Sequence, residues 1–291
     1  MKRIAVLMTC YNRREKTLRC LQALQEGWEK AASGLLPSVF LTDDGCSDGT
    51  AEAVLDLDLP FPVHILQGTG NLFWNGGMIN SWKATLAEGG FDGYLWLNDD
   101  TYALPEFWED LVAADAYSLE TYGKHGIYVG STRDIETGAF TYGGFNYVSK
   151  ITLLDQLLPP NGTFQPCQAA HGNITYVSQE VVDKMGIFCE KYHHSGSDHD
   201  YTYRAHKAGF PILVLPRYSA FCKNDHLGMT REHTKLRLRE RIHRFNIHNT
   251  LLFSRRCFPW RTPFVLFSSI IKLFFPKLGY NVYLRLRKHG M

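Results

Sequence analysis

Along the first hundred residues the apolar positions switch repeatedly between two spacings. Ile4–Met8 is an unbroken apolar run, the pattern of a strand covered on both faces. After Asn12-Arg13-Arg14, Leu18, Leu21, Leu24 and Trp28 recur at helical spacing. Val39-Phe40-Leu41 is a second strand that runs into Thr42-Asp43-Asp44-Gly45, and Ser47-Asp48-Gly49-Thr50 opens a helix through Val54. Val63–Leu66 is a third strand, followed by a Gly/Asn-rich loop and a helix from Ile79 to Leu86. Tyr94–Leu97 is the fourth. Strand–helix repetition of this kind predicts an α/β fold, a mostly parallel sheet flanked by helices.

The middle of the chain is less regular. Pro105–Leu119 and Val177–Met185 are predicted helical, Phe140–Phe145 and Leu157–Gln165 short strands and loops. Ser197-Asp198-His199-Asp200 precedes another helix, and Pro211–Leu215 returns as a strand. From about Thr230 the pattern changes. Arg237, Arg241, Arg244, His248 and Arg255 share a helical stripe beside Leu238, Ile242, Phe245 and Leu252, and Pro263–Phe267 and Ile270–Phe275 are apolar, the latter broken by Lys272. Residues 1–229 are therefore read as one domain and 230–291 as a helical extension. A basic helix followed by an interrupted apolar segment has the form of an interfacial membrane contact. A helical pair packed on the core, with a merely solvated basic stripe, is the other reading.

Composition narrows the class. With 291 residues, 45% of them hydrophobic, and a net charge of +2, the chain can build a sizeable core and offers no general argument for nucleic acid. Seven scattered cysteines, without CxxC pairs, fit reduced thiols in the cytoplasm better than a disulfide framework. The apolar run after Met1-Lys2-Arg3 is too short for a signal peptide, and no stretch reaches the length of a membrane span. The expected location is cytoplasmic, with peripheral contact on the inner face of the cytoplasmic membrane.

Candidate chemistry sits at the predicted strand ends. Asn98-Asp99-Asp100 terminates the fourth strand, where ligands of open α/β sheets bind. Carboxylates there suit Mg²⁺ or Mn²⁺ shared with substrate phosphates; a strand-end turn with Asp as a helix cap is the plainer reading. Thr9-Cys10-Tyr11-Asn12-Arg13 follows the first strand, where Tyr11 could stack on a base or Asn12 could cap the first helix. Asp43-Asp44-Gly45-Cys46-Ser47-Asp48-Gly49-Thr50 follows the second, where Asp48 or Ser47 also suits a helix cap. Gly70-Asn71-Leu72-Phe73-Trp74-Asn75-Gly76-Gly77 combines glycines, which admit close backbone approach, with a flat ring and a polar reader. It is neither a P-loop nor a dinucleotide fingerprint.

Taken in order, these segments resemble the inverting family-two glycosyltransferases of the GT-A fold, over roughly Arg3 to Thr230. Within that family they look most like the rhamnosyltransferase-type enzymes of bacterial surface polysaccharide synthesis. Asp43–Thr50 matches the family's DDGSxDGT signature with Cys46 in the usual Ser position. The resemblance implies that Asp44 accepts an imide N–H from a uracil or thymine ring, with Thr9, Tyr11, Asn12, Arg13 and Asp43 beside the nucleotide. Asn71, Trp74, Asn75, Gly76 and Gly77 would lie under the sugar-nucleotide. Asn98-Asp99-Asp100 occupies the DxD position with Asn in place of the first Asp. It implies Asp100 as principal metal ligand, and Asn98 and Asp99 at ribose or sugar. Asp198 falls on the catalytic base, with Ser197 where the family has Glu. His226 corresponds to a late His near the metal, and His171-Gly172 to the donor–acceptor floor. The implied activity is a metal-dependent (Mn²⁺ or Mg²⁺), inverting sugar transfer. The donor would be a nucleoside-diphosphate sugar of dTDP-rhamnose or UDP-hexose type, the acceptor a glycan or lipid-linked oligosaccharide. Nucleotidyl transfer, or a non-catalytic sugar-nucleotide- or glycan-binding role, is the alternative.

Overall fold

The computed structural model describes residues 2–149, 153–224, 235, 246–278 and 280–281. His226 and the stripe residues Arg237, Arg241 and Arg244 lie outside the described residues. The strands are β1 (Arg3–Cys10), β2 (Leu36–Asp43), β3 (Val63–Gln67), β4 (Gly93–Leu97), β5 (Tyr102–Ala103), β6 (Ile127–Arg133), β7 (Gly144–Ser149), β8 (Leu154–Leu157), β9 (Gln165–Pro166), β10 (Ala169–Ala170), β11 (Ile174–Ser178) and β12 (Ile212–Phe221). The helices are α1 (Arg14–Ala31), α2 (Thr50–Leu55), α3 (Phe73–Glu88), α4 (Pro105–Tyr122), α5 (Gln179–Met185), α6 (Ser197–Lys207), α7 (Ile247–Cys257) and α8 (Thr262–Phe274).

Contacts divide the chain into two compact units. One comprises 1–146 and 157–223, the other 147–156 and 224–291. In the first, the sheet runs β3-β2-β1-β4-β11-β6-β12-β5, with β9 also on β12. β3, β2, β1 and β4 are mutually parallel, and β6 is parallel to β12. β11 lies antiparallel between β4 and β6. Strand order reverses at β1, which opens the crevice expected at a topological switch point. The strands β10, β7 and β8 form a second, three-stranded sheet in the order β10-β7-β8.

The alternation of side chains along a strand explains the core. Ile4, Val6 and Met8 of β1 face one side with Leu21, Leu24, Phe107, Trp108 and Leu111 of α1 and α4. Ala5 and Leu7 face the other, with Met78, Ile79, Trp82 and Tyr201 of α3 and α6. An aromatic cluster fills that second layer; the rings of Trp96 and Phe188 lie 4.5 Å apart and Trp82 and Phe188 5.1 Å.

Three expectations are corrected. The helix read over Val177–Met185 begins only at Gln179, because Ile174–Ser178 is strand β11 and Ser178 is the N-cap, accepting from the Val181 N–H. The segment read as a Gly/Asn-rich loop up to Ile79 is already helix α3 from Phe73. Ile127–Arg133 forms an unanticipated central strand, β6.

Candidate active site at the carboxyl edge of the sheet

The ends of β1, β2 and β4 share one rim, since Cys10 pairs with Asp43 and Leu7 with Trp96 in register. Because β11 runs antiparallel to β4 (Ile174 opposite Leu97), its entry segment His171–Asn173 arrives at the same rim. The topology thus collects Thr9–Arg13, Asp43–Asp44, Asn98–Asp100 and His171–Gly172 along one edge.

At that edge the acidic pair is held by a cation from β1's end. Arg13 Nη1 lies 3.1 Å from Asp99 Oδ1, and Arg13 Nη2 donates to Asp100 Oδ2. Lys16 Nζ stands 4.0 Å from the same Asp100 oxygen. Asp99 is only 4% exposed, and burial pushes its carboxyl up to about 7 against the pull of the Arg13 guanidinium. Its Oδ2 is buried without a hydrogen-bond partner. Hard oxygen donors, one of them orphaned, beside a position already attractive to cations fit a divalent ion. Asp100 and Asp99 are the residues present for it.

Asn98 is tied to the next group. Its Oδ1 accepts the Trp74 indole N–H at 2.7 Å. The Trp74 ring in turn lies against Gly172, where a Cβ would stand 3.0 Å from two ring carbons and 3.3 Å from the Asp198 Cβ. A side chain at 172 would therefore push apart two of the groups that the site joins. Gly172 N–H donates to Asp198 Oδ2 at 3.0 Å. Asp198 sits in the first turn of α6. Burial opposes its ionisation, but His199, His171 and the N–H groups of Gly172 and His199 outweigh it and hold the carboxyl below its ordinary value. His199 Nε2 is 3.9 Å from Asp198 Oδ2, and the His171 and His199 rings are 5.0 Å apart. His171 Nδ1 bonds the Gly143 carbonyl at 2.9 Å.

Asp44 is the anchor of the third region. Its carboxylate accepts N–H bonds from Gly70 (2.8 Å), Leu72 (2.9 Å) and Phe73 (3.0 Å), fixing the chain just before Trp74. Asp43 accepts from the Cys46 N–H. Cys10 and Cys46 bring their sulfurs to 3.7 Å, and with Asp43 they form a close ligand-type trio. Tyr11 and Phe73 are more than half exposed at this rim, and Asn71 is exposed.

Other sequence-named residues make contacts within the scaffold. Asn75 was expected beneath a ligand, but its side chain is fully buried and its amide donates to the carbonyls of Cys189 (3.0 Å) and Tyr192 (2.8 Å). Gly76 and Gly77 lie inside α3 rather than in a loop. Gly77 is required because a Cβ there would come within 2.1 Å of Thr9 Oγ1, and Gly76 faces Leu72. Asn12 does not cap α1; with φ of 50° it turns its Oδ1 to the Ser47 N–H at 2.7 Å. Asp48 does the capping instead, accepting from Arg14 N–H at 3.0 Å and from Thr50 N–H at 3.2 Å. Sequence reading missed Lys16 and His199 near the acids. His199 carried a usable signal, being flanked by the two aspartates of the Asp198–Asp200 segment.

No curated protein matches the sequence. Among solved structures, mannosyltransferase PcManGT from Pyrobaculum calidifontis, in complex with GDP-Man and Mn²⁺, is similar with a TM-score of 0.56 at 13% identity. That match covers 100% of this chain and 76% of that one. S. aureus TarS 1-349 in complex with UDP gives a TM-score of 0.54 at 14% identity, over 76% of this chain and 60% of that one. The same protein with UDP-GlcNAc gives 0.56 at 13%, over 87% and 66%. The chain thus spans about three-fifths of the first TarS structures it matches. At these identities the likeness carries the fold, which is GT-A. The sequence profile of Glycosyl transferase family 2 matches residues 5–173, more than half of the chain and every strand-end motif up to Gly172, and the chain belongs to that family.

Proposed function

We propose that this glycosyltransferase moves a sugar, with inversion, from a nucleoside-diphosphate donor to an acceptor hydroxyl. The observation that carries the reading is the continuous run of contacts from Arg13 through Asp99, Asp100, Asn98 and Trp74 to Gly172 and Asp198. It sets a carboxylate held ionised on the same rim as an acidic pair suited to a cation. The donor is of UDP-hexose or dTDP-rhamnose type; the nucleotide-bearing neighbours TarS and PcManGT support the class but not the sugar.

In this reading Tyr11 and the Asp43–Asp44 corner receive the base. Asp44 has about four lone-pair sites, three of them engaged by backbone N–H groups, so one further imide N–H can be accepted. Thr9, Asn12 and Asn71 line the approach, and Asn98 and Asp99 lie nearest the ribose or sugar. Asp100, with Asp99, would hold Mn²⁺ or Mg²⁺, which when bound neutralises charge on the leaving diphosphate. Arg13 bridges the same carboxylates and offers a planar fork to phosphate oxygens. Asp198 takes the proton of the acceptor hydroxyl as that oxygen bonds to the anomeric carbon and the nucleoside diphosphate departs. His171 and His199 sustain its charge. One in-line displacement inverts the sugar centre, and no covalent sugar–enzyme intermediate forms. The acceptor is a glycan or a lipid-linked oligosaccharide of surface polysaccharide synthesis.

A binding-only role is the second reading, favoured by Ser197, whose buried Oγ has no hydrogen-bond partner where the resembling enzymes carry Glu. Asp198→Asn separates the two. For an enzyme, nucleoside diphosphates with Mn²⁺ raise the melting temperature of wild type and variant alike. Sugar transfer then falls by at least about a hundredfold in the variant only. Donor-induced stabilisation with no transfer by wild type to any glycan acceptor would leave binding alone.

A further inference from the structure

We infer that the C-terminal unit docks on an anionic lipid bilayer through the outward face of α8. This goes beyond the donor site and does not depend on it, since a bilayer would be bound whether or not sugar moves.

The helix is built inside out. Its inward stripe, at four-residue spacing, is Arg261, Val265 and Ser269, each no more than 8% exposed. Outward stand Phe264, Leu266, Phe267, Ile270 and Phe274, between 47% and 66% exposed. Trp260 before the helix and Phe275 and Leu278 after it extend the patch. A helix of a water-soluble protein puts large apolar residues in and Arg out, so contiguous exposure on this scale marks a surface made to be covered.

What covers it follows from charge and length. From Arg241 to Met291 there are ten Lys and Arg and no Asp or Glu, whereas residues 1–240 carry twenty-one and twenty-nine. Arg255, Arg256 and Lys277 are exposed close in sequence to the apolar face. A second copy of this segment would meet the same uncompensated positive charge, and an apolar protein groove gains nothing from it. An anionic headgroup layer over acyl chains satisfies both features. At thirteen residues α8 is about 20 Å long, short of the roughly 30 Å hydrocarbon core, and no described helix is long and apolar enough to cross a membrane. It lies in the interface, with Trp260 at headgroup depth.

The test is co-sedimentation of the full chain with vesicles. Vesicles containing about 30 mol% phosphatidylglycerol in phosphatidylcholine should bind it, pure phosphatidylcholine at least about tenfold less, and about 0.5 M NaCl should weaken the anionic binding. Phe267→Ser with Phe274→Ser should cut partitioning about tenfold or more. Both positions are exposed, so an unchanged melting temperature certifies the fold. Arg255→Glu with Arg256→Glu should abolish the preference for anionic vesicles. Failure of the wild type to sediment with either vesicle, or equal binding by the double Phe variant, overturns the inference. So does a concentration-dependent dimer by light scattering that the Phe variant dissociates while vesicles capture nothing.

Discussion

The indole N–H of Trp74 meets the side-chain oxygen of Asn98 at 2.7 Å, joining the first turn of α3 to the last residue before the acidic pair. The family's first DxD carboxylate is an amide here, and an amide oxygen suits a neutral donor. Trp74→Phe keeps a ring against Gly172 and deletes the hydrogen bond. The variant should fold, lose about 1 kcal/mol of stability, and lose more in kcat/KM than in donor binding, because Asn98 is freed to turn. Calorimetry and steady-state transfer assays read both. Unchanged transfer at reduced stability would make Trp74 a packing residue only.

A side-chain cation already sits between the two carboxylates. Arg13 spans Asp99 and Asp100, and a guanidinium there competes with a divalent ion for the same oxygens. Arg13→Met should strengthen Mn²⁺ binding several-fold without nucleotide, as followed by electron paramagnetic resonance of free Mn²⁺. Stability without metal should fall, by about 1–3 kcal/mol, because the 4%-exposed Asp99 loses its ion pair. Weaker Mn²⁺ binding in the variant would mean that Arg13 orders the carboxylates for the metal rather than competing with it.

The sequence disclosed the rim better than its supports. β1, β2 and β4 are covered on both faces, so each reads as a plain apolar run ending at polar residues, and the motifs fall where the strands stop. β6 was illegible because Gly130, Ser131 and Thr132 break its pattern. A Cβ at Gly130 would lie 2.7 Å from Ile174 and 2.8 Å from Ser219, so neighbouring strands, not local propensity, choose the glycine. Gly76 and Gly77 misled for the same reason: paired glycines look like a loop, yet Gly77 lets α3 press against Thr9. Asn75 was misread because its partners lie more than a hundred residues away. The second unit draws 147–156 from mid-chain, and composition along the sequence holds no trace of that.

Asp198 gives a pH prediction of definite sign. Its folded carboxyl lies below the 3.8 of a free aspartate, since His199, His171 and two N–H groups outweigh burial. The folded state therefore binds fewer protons than the unfolded one near that pH. The residue contributes stability that is present above about 4 and lost as pH falls through the folded value. The melting-temperature gap between wild type and Asp198→Asn should be larger above pH about 4 than below it. Any acid limb of activity above pH about 5 belongs to another group. A gap that widens on acidification would reverse the assignment.

Cys46 offers a probe of the donor corner that needs no turnover. It stands where the family signature has Ser, 3.7 Å from the Cys10 sulfur and one residue beyond the tight turn after Asp44. Burial pushes both thiols up, and Cys46 is the more exposed of the two. Alkylation by N-ethylmaleimide should thus be slow at neutral pH and accelerate as pH rises toward and past 9.0, following the thiolate. If the base lies at the Asp43–Asp44 corner, saturating UDP or dTDP with Mn²⁺ should slow labelling of Cys46 about tenfold or more. Labelling of Cys189, also partly exposed, should be unaffected. Peptide mass mapping separates the two sites. Equal labelling of Cys46 with and without a nucleotide that demonstrably raises the melting temperature would move the base to a different part of the rim.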